Sequence, residues 1–381
     1  MRILDQDDYG RLDGLTAGLR DQGMALSILA GVRPGVVAVN DGDAPTTLFI
    51  GAPEGGFAWT YLAGDPTDRT FREELQAWLF EEHGLGADVV FSFMTCDSPD
   101  WEETLSDLFA PRTVIPDRRL HYECTERPDG WREVVPDGYR IVDVDRALLD
   151  SDVEMHPRVS EWLPANFGST ERFLECGVGA VAVHDGKIVG WILADSFVDG
   201  LSDIGGEVEE AHRRKGLAYA ATCRTVELAL DRGAKRIGWH CHAINVPSIK
   251  TAETAGFELK YAYTVYPIQF DPEKHEKLVA IIAGEYLEAG KAEIAAAQYA
   301  EADESFGKLL RLTPDVAADV LHAAACAAAG VGDVDRAFER LTDAIAAGWS
   351  DAKQTMTQPE FVALHQDPRW AALIGRVEGA A

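Results

Sequence analysis

An α/β (α+β) fold with a mixed central sheet, followed by an all-helical segment, is predicted by three observations. Strand-like runs alternate with helically spaced runs through the first two-thirds of the chain. At 208–218 a Gly-containing turn joins a strand-like run to a long Ala-rich helical run. Beyond Asp271-Pro272 the composition turns Ala-rich and helical, and Pro272 suits the first turn of a helix.

Residues 1–130 read as an α/β lobe. Helical spacing covers 11–22 and 70–83, and strands are predicted at 35–40, 46–50, 57–62, 89–93 and 120–124. The turn clusters Arg127-Pro128-Asp129-Gly130 and Pro136-Asp137-Gly138 bracket a linker. Residues 131–270 then carry a strand at 139–144, helices over 146–163 and 169–176, and strands at 179–184 and 187–194. Asp185-Gly186 between those two strands is a strong hairpin turn. A strand at 201–207, a helix over 216–232 ending at Gly233, a strand at 236–242, a helix at 248–255 and a strand at 260–268 follow. In 271–381, Ala302, Phe306, Leu309 and Pro314 recur in kind as Ala337, Leu341 and Ala344. The offset is 337 − 302 = 35 residues, close to the roughly 34-residue tetratricopeptide period. Two helical hairpins and a closing segment are expected, which is short for a free-standing peptide-binding array.

The turn carries the functional signal. Arg213, Gly216 and Ala218 form Arg-x-x-Gly-x-Ala at a helix start. Unpaired N–H groups and the helix dipole favour an anion at such a place, and glycine lets the backbone approach it. Two rival loops are absent, Gly-x-x-x-x-Gly-Lys-Ser/Thr and Gly-x-Gly-x-x-Gly. Downstream, Asn245-Val246-Pro247-Ser248 precedes Ala252 and Gly256-Phe257.

In these two motifs the chain resembles the GCN5-related N-acetyltransferase (GNAT) superfamily. Trp191, Asp203-Ile204, Trp239-x-Cys241 and Asn245-x-x-Ser248 add a resemblance to a bacterial subfamily with a motif-poor lobe in front of the catalytic one. The resemblance implies tandem GNAT-like lobes, the first degenerate, over 1–130 and 131–270, with a tetratricopeptide-like helical domain over 271–381. It implies acetyl-CoA as co-substrate and no metal. Val208, Arg213, Arg214, Lys215, Gly216, Leu217, Ala218, Asn245 and Ser248 are the implied cofactor-binding residues. The pantetheine arm is expected along the strand 205–208, with a backbone N–H near Val208 polarising the thioester.

Acetyl transfer to an amine also needs a base. Asp203, Gly205 and Glu207 share one strand face by the period of two, so Glu207 and Asp203 are the candidate bases, with Glu207 nearest the turn. His240 and His242 share one face of the next strand and are weighed as bases against a packing role. Cys241, facing the other way, reads as packing rather than as a nucleophile. Many superfamily members carry a Tyr seven residues after the Asn as general acid; here that position is Ala252. Ser248, Tyr261 or Tyr263 are the remaining donors, or the thiolate leaves unaided.

Composition excludes some partners. Against 64 acidic residues stand 35 basic ones, a net charge of −29 that disfavours nucleic acid and anionic membrane. Six scattered cysteines without a Cys-x-x-Cys argue for free thiols, and no leader is visible at 1–8, so a cytoplasmic location is expected. The resulting expectation is an N-acetyltransferase acting on a primary amine of a small molecule. The alternatives are a protein-lysine acetyltransferase, or a catalytically weak CoA-binding scaffold whose helical tail recruits a partner or self-associates.

Overall fold

The computed structural model describes residues 1–379 apart from residue 13. Residue 13, inside the predicted 11–22 helix, and residues 380–381, at the end of the predicted third segment, lie outside the described residues. The chain forms two compact units, Met1–Asp271 and a second beginning at Pro272. Among the described residues, no helix is long and apolar enough to cross a membrane.

The strands of the first unit are β1 (Arg2–Ile3), β2 (Val36–Val39), β3 (Thr47–Glu54), β4 (Phe57–Gly64), β5 (Phe91–Cys96), β6 (Asp117–Cys124), β7 (Tyr139–Asp143), β8 (Gly179–His184), β9 (Lys187–Ala194), β10 (Leu201–Val208), β11 (Arg236–His242) and β12 (Glu258–Gln269). They form one sheet in the order β1-β2-β3-β4-β5-β12-β6-β11-β10-β9-β8-β7. The long β12 joins the two lobes. Its Glu258–Val265 segment pairs with β6 and its Val265–Gln269 segment with β5, both antiparallel. β6, which precedes the 127–138 linker, lies between β12 and β11. The two lobes predicted over 1–130 and 131–270 therefore share one sheet, each lending a strand to the other's side. The hairpin β8–β9 turns on Asp185 and Gly186, both with positive φ (48° and 75°), as a two-residue hairpin loop requires.

Helices α1 (Gly23–Leu29), α2 (Arg69–Phe80), α3 (Glu102–Phe109), α4 (Arg146–Leu149), α5 (Pro157–Phe167), α6 (Thr170–Cys176), α7 (Leu217–Asp231) and α8 (Val246–Thr254) cover the sheet. The core beneath α5–α7 includes Phe167, Phe173, Trp191, Val226 and Ile237. A second core under α2 and α3 includes Phe71, Leu75, Trp101 and Phe109.

Two helix expectations are corrected. The 11–22 stretch is not one helix but 3-10 turns at Gln6–Arg11 and Ala17–Leu19 that lead into α1, which the sequence reading missed together with α3. Gly14 and Gly18 weaken any helix there, and a Cβ on Gly18 would lie 2.7 Å from Asp97 Cβ. The 146–163 helix breaks in two: Glu154 pairs with Lys187 as an isolated bridge, and Pro157 restarts the helix at its first turn.

The second unit is all helix: α9 (Pro272–Ala295), α10 (Tyr299–Leu312), α11 (Ala318–Val331), α12 (Val334–Ala346), α13 (Ala352–Thr357), a 3-10 stretch Pro359–Gln366 and α14 (Arg369–Gly379). The repeated positions do the packing. Ala302, Phe306 and Leu309 on α10, and Ala337, Leu341 and Ala344 on α12, are all buried. Buried Arg340 donates to Asp303 at 2.6 Å and to the Ala324 carbonyl at 2.8 Å, tying α12 to α10 and α11.

Candidate active site

β10 and β11 run parallel and pair only over Leu201–Asp203 with Arg236–Gly238. Beyond that point β10 continues beside β9 to Val208, while β11 continues beside β6 to His242. The two strands splay, and the edge of β10 from Ile204 to Val208 faces the gap. The first lobe's parallel pair behaves differently: β4 and β5 stay paired over six residues, Phe57–Leu62 with Phe91–Cys96.

The gap opens towards the predicted anion turn. Val208 and Leu217, at the turn's two ends, pack together with Ala182 and Val189. Between them Arg213 folds back, its Nε donating to the Val208 carbonyl at 2.9 Å. Arg214 (φ 61°) and Gly216 (φ 78°) are left-handed, and Gly216 caps α7. Gly216 has no side chain, so no side-chain cap closes the first turn of α7. Lys215 donates to Tyr139 Oη at 2.6 Å. The matching helix of the first lobe, α2, is capped by Asp68, whose carboxylate accepts from the Phe71 N–H at 2.9 Å.

A recess with an empty volume of about 430 Å³ lies where the splay begins. The second lobe supplies Asp195, Asp203, Ile204, Gly205, His240 and Tyr263. The first lobe supplies Gln22, Met24, Trp59 and Tyr61, and β6 supplies Arg119. Asp203 is 5% exposed and lies across two glycines. A Cβ on Gly238 would fall 2.0 Å from Asp203 Oδ1, and one on Gly23 would fall 2.4 Å from Oδ2, so a side chain at either place would displace the carboxylate. Oδ2 accepts from the Gly23 N–H at 2.8 Å. Oδ1 has no hydrogen-bond partner and lies 3.7 Å from His240 Nε2.

His240 sits in a chain of polar groups. Its Nδ1 is 2.9 Å from Tyr263 Oη, and its Nε2 is 3.1 Å from Nδ1 of buried His121. Burial, then the neighbouring His240, lowers the His121 pKa. His121 Nε2 is 3.2 Å from Glu123. Asp21, His121 and Glu123 bring three ligand-type atoms within 4.8 Å of one another. The Arg236 guanidinium already engages both carboxylates, donating to Asp21 at 2.8 Å and Glu123 at 2.5 Å. Burial works against the Asp21 carboxylate, but hydrogen bonds from Arg236 and Tyr261 prevail and lower its pKa. Burial, then Glu54 and Asp203, push the Asp195 carboxyl well above the usual carboxylate range. Burial also raises the pKa of Tyr263.

The other predicted residues fall as follows. Glu207 is exposed, further along the face that carries Asp203 and Gly205, and is not among the residues lining the recess. Asn245 Oδ1 accepts from the Ser248 N–H at 3.2 Å, capping α8, and Ser248 Oγ accepts from Trp239 Nε1 at 3.1 Å. Cys241 is buried, which raises its thiol pKa and removes the thiolate a nucleophile needs. Ala252 is fully buried. Tyr261 donates to Asp21 at 3.1 Å. Arg119, His121, Trp59, Tyr61, Gly23 and Gly238 were missed. Gly238, a lone glycine inside a strand pattern, was a signal of close approach; the others come from a lobe that has no motif.

The family model for GNAT acetyltransferases matches residues 15–266. No curated protein matches the chain. Among solved structures, a GCN5-related N-acetyltransferase-like protein from Streptococcus suis superposes with a TM-score of 0.52 at 22% identity, covering 68% of this chain and 98% of its own. A GCN5-related N-acetyltransferase from Sphaerobacter thermophilus superposes at 0.46 and 16% identity, covering 71% of this chain and 95% of its own. A tandem GNAT protein from the clavulanic acid biosynthesis pathway, solved without AcCoA, superposes at 0.46 and 16% identity, covering 71% and 99%.

Proposed function

The chain belongs to the GNAT acetyltransferase family, whose members transfer acetyl groups from acetyl-CoA, and on that premise we propose that it acetylates a primary amine carried on a small molecule. The observation that carries this reading is the splay of β10 from β11 beyond Asp203. It opens between an uncapped helix N-terminus and a recess holding an unpartnered carboxylate oxygen. The recess is narrow and bounded by both lobes, which suits a compact acceptor better than a protein chain.

The uncapped N–H groups of Leu217 and Ala218 and the exposed turn Arg213–Gly216 hold the CoA pyrophosphate. The pantetheine arm lies along the free edge of β10, and Asn245 holds the mouth of the gap by capping α8. The acceptor enters from the recess. Asp203 takes its proton, directly or through His240, and the amine nitrogen attacks the thioester carbonyl. A bond from nitrogen to carbon forms, the carbon–sulfur bond breaks, CoA leaves as thiolate, and the nitrogen sheds its second proton to the His240–Tyr263 chain, which replaces the one given to sulfur. Tyr263, 2.9 Å from His240 Nδ1, is placed to return a proton to the sulfur, a role that the family's usual Tyr cannot fill where Ala252 is buried.

The test is acetyl-CoA-dependent thiol release over a panel of amines, amino acids, polyamines and lysine peptides, with Asp203→Asn and Glu207→Gln alongside. Release on one class, reduced at least about tenfold by one carboxylate change, supports the reading and names the base. CoA binding without release on any acceptor replaces it with the scaffold reading.

A further inference from the structure

The recess carries two unmet polar demands of opposite sign. Asp203 Oδ1 is a buried acceptor without a donor, and Arg119 Nε is a buried donor without an acceptor. Both side chains line the recess, and both flank His240. The Arg119 guanidinium donates to the His240 carbonyl at 3.0 Å, and Asp203 Oδ1 lies 3.7 Å from the His240 ring. A small molecule resting against His240 meets a carboxylate on one side and a guanidinium on the other. Buried polar atoms are almost always satisfied, and leaving one unsatisfied costs stability, so two in one recess point to a ligand that completes both.

The charge count agrees. Asp203 and Arg119 bring a carboxyl group and a guanidinium into the same recess. Its remaining walls include Met24, Trp59 and Tyr61. The Arg119 guanidinium lies 4.8 Å from the Trp59 ring centroid, which fixes the fork against an aromatic face.

We propose that the acceptor is an amino acid with an apolar side chain, bound as the zwitterion: its ammonium group on Asp203 Oδ1, its carboxylate on the Arg119 guanidinium, and its side chain against Met24, Trp59 and Tyr61. This deepens the acetyltransferase reading and rests on it. A carboxylate on the acceptor supplies the partner that Arg119 lacks. A bare amine leaves that donor stranded and pays desolvation without return.

The experiment compares kcat/KM with saturating acetyl-CoA for leucine, methionine and phenylalanine against their carboxamides and their decarboxylated amines. The amino acids should exceed the decarboxylated amines by at least about tenfold, the factor set by one charge-assisted hydrogen bond. Arg119→Gln should collapse that ratio to within about threefold, while Arg119→Lys should restore part of it. The ratio cancels any general loss of active enzyme. If Arg119→Gln does not fold, the wild-type ratio decides alone. Amines without a carboxylate turned over as well as the amino acids overturn this inference and leave acetyl transfer standing. No release on any acceptor overturns both.

Discussion

Asp203 has two oxygens with two separable duties, and the substitution Asp203→Asn divides them. Oδ2 accepts from the Gly23 N–H at 2.8 Å, which fixes the start of α1 against β10. Oδ1 lies over Gly238 on β11 and has no partner, on a side chain that lines the recess. Asparagine can keep its amide oxygen on Gly23, so the cost there is only the step from a charged to a neutral hydrogen bond, about 1 kcal/mol. For a unit of this size that is a fall in melting temperature of about 2–4 °C. The loss at Oδ1 is larger in effect, because the amide nitrogen now faces the acceptor and cannot take a proton. Turnover should fall by about 10²–10⁴, the range for a positioned base. CoA affinity should stay within about twofold, since Asp203 stands at the closed end of the splay, before the turn at Arg213–Gly216. Thiol release, thermal unfolding and calorimetric titration with CoA measure the three quantities on one sample. An Asp203→Asn enzyme within about threefold of wild-type turnover, beside a Glu207→Gln enzyme that has lost more, would refute the assignment and return the base to Glu207.

Four further outcomes are expected. Gly216→Val forces a branched side chain into φ 78°, with Cβ 3.3 Å from the Val134 carbonyl; it should cost about 1–2 kcal/mol of stability and weaken CoA at least about tenfold by calorimetry, because the side chain fills the approach to the α7 N–H groups. Calorimetry on the wild type should count one CoA per chain rather than two, because in the first lobe β4 and β5 stay paired and α2, the helix that follows β4, is capped by Asp68. Glu227 is 4% exposed and accepts from Trp131 Nε1 at 3.0 Å and Arg224 at 2.8 Å. Burial opposes ionisation, but those bonds and Arg132 prevail and lower its pKa, so its stabilisation is present above the unfolded carboxylate pKa and is lost as pH falls through the folded one; Glu227→Gln should lower the denaturation midpoint at pH 7 by the equivalent of about 1.5–3 kcal/mol and flatten the acid limb. In the second unit, buried His322 stacks on Trp349 with centroids 4.1 Å apart, and burial lowers its pKa from 6.5 to about 4; a depressed folded pKa means stability is complete above about 6.5 and falls away towards 4, by about 3 kcal/mol, which hydrogen exchange of α11 in the full chain, corrected for intrinsic rates, would register and His322→Phe would abolish.

The parts of this fold that were legible in the sequence are those that local physics determines. Arg236–His242 and the hairpin strands Gly179–His184 and Lys187–Ala194 have the predicted bounds, because alternation, β-branched content and the Asp185-Gly186 turn agree there. The Arg-x-x-Gly-x-Ala turn was legible because its demand for Gly216 is written in one position. The apolar spacing over 11–22 does not yield one helix because Gly14 and Gly18 lie within it. The recess was half legible. Asp203, Gly205, His240 and Tyr263 lie on strands next to a motif, but Arg119, Trp59 and Tyr61 reach it only because β6 inserts beside β11 and β12 carries the first lobe across. No local pattern encodes that pairing. It is decided by which edges remain open once each lobe has formed, and no single segment carries it.

The two lobes show how small a change separates a splayed strand pair from a closed one. Each has a parallel strand pair in which a helix follows the first strand: β4–β5 with α2, and β10–β11 with α7. A cofactor arm needs the pair to part and the following helix to offer free N–H groups. In the second lobe, Gly238 lets the Asp203 carboxylate lie across β11 where the pairing ends, and Gly205 and Gly206 follow on β10, so that little side-chain bulk fills the gap. In the first lobe, Thr60 and Ser92 hydrogen-bond across β4 and β5 at 2.9 Å, and Phe57, Trp59, Phe91 and Phe93 pack ring against ring over the same pair. Those contacts hold the strands together for their whole paired length. Asp68 then places its own negative charge at the head of α2, where a pyrophosphate would otherwise sit. The aromatic ladder that closes the first lobe ends in Trp59, a wall of the recess in the second. Trp59 thus serves both lobes, packing on Phe93 across β4 and β5 and lining the recess beside β10.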